Sequence, residues 1–229
     1  MSAANRTMKV YELGQTRYRD VHLLQQRLQQ QRREGSGVDS LLLTEHVPVF
    51  TLGRAHPEPK LRVPESLLES QHIEIVPTER GGDITYHGPG QLVAYGIVDL
   101  RGWGCSVVDF VSGLEDTAVS VLADWGIVGG RSELGRGVWV EGRKIASVGL
   151  NVRGGVTMHG IALNVDPNME HFQYITPCGL DDVVMTSLSY EAHKPVPMPQ
   201  VIESFTYHFR RVFECQAEEV QLTPHRAAS

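Results

Sequence analysis

"GVWVEGRKIASVGLNVRGGVTMHGIALNV", residues 137–165, sets three runs of strand-forming residues between two turn signals. Glu141-Gly142 and Arg153-Gly154-Gly155 fall where the chain must reverse, so the stretch reads as an antiparallel meander. Upstream, residues 91–100, QLVAYGIVDL, form a near-continuous apolar run with the length of a buried strand. Between these strands, Val107, Val111, Leu114, Ala118, Leu122 and Trp125 follow the helical period. Ser106 and Asp109 resemble a capping pair at the start of that helix, with Cys105 just before it.

Further out, residues 41–45 (LLLTE) and 49–53 (VFTLG) read as strands broken at Pro48, and 72–76 (HIEIV) as another. Residues 19–34 carry Val21, Leu24 and Leu28 at helical spacing and stop at Gly35-Ser36-Gly37. At the other end, Val201, Phe205, His208, Phe209, Val212, Phe213 and Cys215 share one face of an expected helix, and the tail from Thr223 is expected to be loose. Helix, strands, helix, meander, helix is an α+β order and not that of a doubly wound parallel sheet. One domain over 1–229 is expected, with no repeat or linker.

The chain has 229 residues, 41% hydrophobic content and a net charge of −6, which disfavours sequence-independent nucleic-acid binding. The first residues lack the apolar stretch of a secretory signal and no apolar run reaches membrane-spanning length, so a cytoplasmic protein with no membrane partner is expected. Three widely spaced cysteines, at 105, 178 and 215, argue against a disulfide framework or structural zinc. No His-x-x-x-His pattern occurs, so no catalytic metal is expected.

Cys215 reads as a small core residue on the last helix, and Cys105 as packing beneath a helix entry. Cys178 sits between Pro177 and Gly179 in "YITPCGLDD", residues 174–182, where a turn can present a side chain. Packing and nucleophilic roles both remain open for it. The nearby Asp181 and Asp182 would raise its pKa, so a reactive Cys178 needs a cation. Lowering a free thiol by about two units takes about 2.7 kcal/mol. One ammonium at about 4 Å supplies roughly 4 kcal/mol at an effective dielectric of 20. Of the four lysines, Lys144 alone lies inside the patterned meander, at its hairpin turn. His87 and His159, flanked by glycines, are candidates for a base or a ligand-facing group. The glycines of RGGDITYHGPG, residues 80–90, do not fit a P-loop and suggest a wall for an elongated ligand.

Together, RGGDITYHGPGQLVAY, GVWVEGRKIASVGLNV, HGIALNV and TPCGL, in this order and at these separations, resemble the lipoyl(octanoyl) transferases over roughly residues 40–190. The resemblance implies the α/β fold of biotin and lipoate protein ligases. It also implies transfer of octanoyl from octanoyl-acyl carrier protein to a lysine of lipoyl domains, those of 2-oxoacid dehydrogenase complexes and the glycine cleavage H protein. Cys178 would carry the acyl-thioester and Lys144 would lower its pKa. Substrate contacts would map to Arg80, Gly81, Gly82, Asp83, Ile84, Thr85, Tyr86 and His87, to Ser147, Val148 and Gly149, and to Gly160, Ile161 and Ala162. No cofactor and no ATP are implied, and a monomer is expected. Ala94 departs from the family, where glycine is common.

Both macromolecular partners would be acidic, and Arg54, Arg131, Arg136, Arg143 and Arg153 are candidates for a docking patch. Two other readings are an ATP-dependent lipoate–protein ligase and a non-catalytic lipoyl-domain binding protein. The first lacks a nucleotide signature here, and the second would expect Cys178 or Lys144 to be replaced.

Overall fold

The computed structural model describes residues 6–55, 61–176 and 183–220. The elements run β1 (Arg6–Thr16), α1 (Tyr18–Arg33), β2 (Asp39–His46), β3 (Val49–Leu52), α2 (Glu65–Ser70), β4 (Glu74–Pro77), β5 (Thr85–His87) and β6 (Gln91–Ile97). After these come α3 (Val107–Asp124), β7 (Gly130–Ser132), β8 (Gly135–Val140), β9 (Arg143–Arg153) and β10 (Val156–Asn164). The chain continues with α4 (Glu170–Gln173), α5 (Leu188–Glu191), α6 (Met198–Val212) and β11 (Cys215–Val220).

Among the described residues, eight strands form one mixed sheet in the order β11-β1-β2-β6-β10-β9-β8-β7. Its first two pairings are parallel and the rest antiparallel. A small sheet, β4-β3-β5, stands beside it. The meander read from the sequence is β8-β9-β10, and the apolar run before it is β6.

Every residue of β6 and β10 is buried, because helices cover both faces of the central sheet. Such strands carry continuous apolar runs and do not alternate. On one face α3 and α6 pack together around Phe110, Phe205, Phe209 and Phe213. The Phe209 and Phe213 rings lie 4.4 Å apart. On the other face α1 packs Tyr18 and Val21 against Leu42, Val93, Tyr95 and Ala162. A third core joins the small sheet to Phe172 and Ile175. The capping pair at α3 closes in both directions: Ser106 Oγ accepts from the Asp109 amide, and the Ser106 amide donates to Asp109 Oδ2.

One expectation changes, and two features were not foreseen. Cys215 is not on the last helix but opens β11, buried beside Met8. Strand β1 and the edge strand β11 beside it were not legible, since "RTMKVYELGQT" and "CQAEEV" carry charges throughout. The buried face of α1 includes Gln25 and Gln29. Both serve as hydrogen-bonding struts: Gln29 Nε2 donates to the Val156 carbonyl, and Gln25 Oε1 accepts from the His159 amide.

Candidate active site

The register of the central strands brings the separated motifs together. Ser147, Val148 and Gly149 on β9 pair with Ala162, Ile161 and Gly160 on β10. The β10 residues pair on their other side with Val93, Ala94 and Tyr95 on β6. Added side-chain bulk at Gly160 would collide with the Ala94 carbonyl, so only glycine lets these strands pair so closely. Above this floor the segment 80–84 forms a wall. Gly81 donates its amide to the Leu150 carbonyl at 2.9 Å. Gly53, Arg54 and Ala55 donate theirs to the carbonyls of Asp83, Arg80 and Gly82.

Between wall and floor lies a cleft of about 550 Å³, its open mouth included. Arg80, Gly81, Gly82, Asp83, Ile84, Thr85, His87, Lys144, Ser147, Val148, Gly149, His159, Gly160, Ile161 and Ala162 all line it. Tyr86 does not. Its ring turns into the third core, against Phe50 and Phe172. Cys178, with Asp181 and Asp182, lies outside the described residues. Tyr18, Val93 and Tyr95 also line the cleft and were missed. Tyr18 sits in the first turn of α1, where nothing in the local pattern separates a cleft residue from a core one.

Lys144 is not at the tip of the hairpin. It is the second residue of β9, opposite Trp139, and only 5% exposed. Its ammonium stands 5.4 Å from the centre of the Trp139 ring, a cation–π arrangement. Gly137, at φ +125°, clears its stem: a Cβ there would come within 2.8 Å of Lys144 Cε. The Lys144 amide donates to the Val184 carbonyl at 2.8 Å, and its carbonyl accepts from the Thr186 amide at 2.9 Å.

Polar side chains behind the cleft fix the roles of His87 and Arg80. The Arg80 guanidinium, 8% exposed, donates from Nη2 to the Thr51 carbonyl and from Nε and Nη2 to Thr51 Oγ1. With that oxygen accepting from arginine, the Thr51 hydroxyl proton is directed to His87 Nε2, 3.3 Å away. His87 Nδ1 then donates to Gln91 Oε1 at 2.7 Å. Gln91 Nε2 donates to Asn164 Oδ1, and Asn164 Nδ2 donates to the Thr186 carbonyl. Burial, with His46 adding to it, holds His87 well below the ordinary imidazole range. It is a neutral ring with both nitrogens occupied, suited to holding the wall and not to taking a proton. His46, bonded to the Tyr95 hydroxyl at 2.7 Å, is pushed down to about 4 by burial.

The two described cysteines are poor nucleophiles. Burial, aided by Asp109, raises the Cys105 thiol, and burial lifts Cys215 to about 11. Of the arginines considered for docking, Arg131 binds Glu115 and Asp116, Arg136 lies 3.5 Å from Glu115, and Arg143 binds Glu191 and Glu141. Their charge is already matched within the chain.

The fold is that of the lipoate and biotin protein ligases. A bipartite lipoate protein ligase from Thermoplasma acidophilum superposes with a TM-score of 0.73 over 94% of this chain and 87% of its own, at 13% identity. A biotin protein ligase from Aquifex aeolicus, in complex with biotin and ATP, gives 0.53 over 90% and 70% at 10% identity. Residues 17–210 match the model of the lipoyl protein ligase A/B catalytic domain. An octanoyltransferase of Solibacter usitatus is 44% identical over 89% of this chain and 91% of its own. A mitochondrial octanoyltransferase of Arabidopsis thaliana is 38% identical over 86% and 84%. The chain belongs to the lipoyl protein ligase A/B catalytic-domain family, among its octanoyltransferases, and is an acyltransferase.

Proposed function

We propose that this acyltransferase takes an octanoyl group from the thioester of an acyl carrier protein and places it on a lysine of a lipoyl domain, passing through a thioester on Cys178. Residues 1–229 would act as one catalytic domain. The supporting observation is the pinning of Lys144 to Val184 and Thr186. That segment begins six residues after Cys178, and Lys144 itself lines the cleft with 80–85, 147–149 and 160–162.

In the first step the Cys178 thiolate attacks the carrier thioester, a new carbon–sulfur bond forms, and the carrier thiolate leaves. One thioester replaces another, so little free energy changes. In the second the acceptor amine attacks, an amide forms and the Cys178 thiolate leaves, a downhill exchange that needs no nucleotide. Lys144 favours the thiolate electrostatically and, once the thiolate is acylated, passes on the proton of the attacking amine. The apolar surfaces of Val93, Tyr95 and Ala162 keep water from the thioester.

The test is octanoyl transfer from carrier to lipoyl domain without ATP. Full transfer, abolished by Cys178→Ser and slowed at least a hundredfold by Lys144→Ala, is expected. A strict ATP requirement would favour the ligase reading in its place.

A further inference from the structure

Beside Arg80, on the side of the cleft facing α1, three side chains from remote parts of the chain converge. His22 comes from α1, Glu79 from the segment entering the Gly-rich wall, and His159 from β10. One ligand atom from each lies within 4.8 Å of the other two. His22 Nε2 is 2.8 Å from Glu79 Oε2, while His159 Nε2 stands 3.9 Å from the same oxygen, beyond hydrogen-bonding length.

His159 is the unusual member. It is 2% exposed, yet neither ring nitrogen has a hydrogen-bond partner among the described residues. Leaving a buried polar group unsatisfied costs about 1–3 kcal/mol, so native structures rarely do so without a reason. Its backbone is held at φ +66° inside a strand, a conformation that a non-glycine residue keeps only where its surroundings impose it. The His159 amide is fixed by Gln25 Oε1 at 2.9 Å. The chain thus holds an imidazole in place and leaves its lone pair unused.

Two imidazoles and one carboxylate are the donor set of a three-ligand zinc site with an open fourth position. Gln26 Nε2 donates to the second Glu79 carboxylate oxygen at 3.3 Å, an outer contact of the kind that orients a metal-binding carboxylate. Tetrahedral zinc asks for ligand atoms about 3.3 Å apart. The present spacings, 2.8 Å from His22 Nε2 and 3.9 Å from His159 Nε2 to the Glu79 oxygen, straddle that value.

We propose that His22, Glu79 and His159 form a zinc-binding site that ties α1 to β10 behind the cleft wall. The ion takes no part in acyl transfer there. It fixes His159, and with it the side of the cleft next to Arg80. A search for local spacing misses this site because its residues lie 57 and 80 positions apart in the chain.

The experiment uses the full chain, stripped with a chelator and titrated with Co²⁺ and Zn²⁺. One equivalent of Co²⁺ with a tetrahedral visible spectrum, displaced by Zn²⁺, is expected, together with a zinc-dependent rise in melting temperature. His22→Ala and Glu79→Gln, both at partly exposed positions, should each weaken binding at least tenfold, while Cys178→Ser leaves it unchanged. Absence of stoichiometric binding would overturn the proposal. So would zinc retained by both site variants, or zinc lost only in Cys178→Ser, which would assign the ion to the thiol. Each outcome is independent of the acyl-transfer assay.

Discussion

The amide of Lys144 donates to the carbonyl of Val184 at 2.8 Å, and the return bond from Thr186 completes a parallel bridge centred on Met185. A lysine near one end of β9 is thereby tied by its own backbone to the chain that follows Cys178. Its side chain is held separately, by the Trp139 face and by the space left at Gly137. The ammonium's position therefore depends in part on Trp139 and Gly137, neither of which lines the cleft.

Gly137→Ala tests that dependence. The new methyl group would meet the Ala146 carbonyl and approach Lys144 Cε, at a φ that side chains rarely adopt. We expect about 1–3 kcal/mol of lost stability, and a fall in octanoyl transfer of more than tenfold in protein that is still folded. Urea unfolding and single-turnover kinetics measure the two effects separately.

Trp139 supplies a ring and not a charge, so Trp139→Phe should retain most activity while Trp139→Leu loses more. A cation–π contact of about 0.5–2 kcal/mol corresponds to roughly 2–30-fold. Equal rates in the two variants would show that the ring face does not hold Lys144.

Chain length should respond to Gly149, which faces the wall across the cleft. A Cβ there would lie 3.1 Å from the Gly81 carbonyl oxygen and 3.3 Å from Arg80 Cδ. Gly149→Ala therefore narrows the cleft. Each methylene excluded from it forfeits about 0.8 kcal/mol, roughly fourfold. Competition between hexanoyl and octanoyl donors should shift toward hexanoyl by at least that factor, and an unchanged ratio would place the chain elsewhere.

Stability should fall in mild acid. His46 is held neutral by burial, at about 4 against 6.5 for a free imidazole. The unfolded chain therefore binds a proton that the folded chain refuses across this interval. The stabilisation is complete above about pH 6.5, declines as pH falls and is gone below about 4. It amounts to about 3 kcal/mol. His87 and His159 are shifted in the same direction by burial. Urea midpoints should drop from pH 7 to pH 4, less steeply in His46→Gln, and a flat profile would contradict the assignment of a neutral buried His46.

The central strands were readable because β6, β9 and β10 are apolar runs cut by Gly-rich turns, and a core with helices on both faces asks for little more. The two strands at the β11 end of the sheet were not. β1 and β11 pair in parallel with their neighbours and bury mainly Met8, Val10 and Cys215, too few apolar positions to stand out among their charges. For the same reason Cys215 was placed on the helix before it.

The cleft was legible as motifs but not as a shape. The pairing of Gly149 with Gly160 follows from sheet register, which depends on hydrogen bonds that no single segment encodes. Tyr86 and His87 are neighbours with the same local signal, yet strand alternation sends one ring into the core and the other to the cleft. Tyr18, Tyr95 and the polar chain from Thr51 through Gln91 to Asn164 join residues far apart in sequence, beyond the reach of any local pattern.

The most direct measurement is the intact mass of the enzyme after incubation with octanoyl-acyl carrier protein and no acceptor. One octanoyl group, mapped to the peptide containing Cys178 and absent from Cys178→Ser, is predicted. No adduct on an active enzyme, or an adduct that persists in Cys178→Ser, would contradict transfer through that thiol.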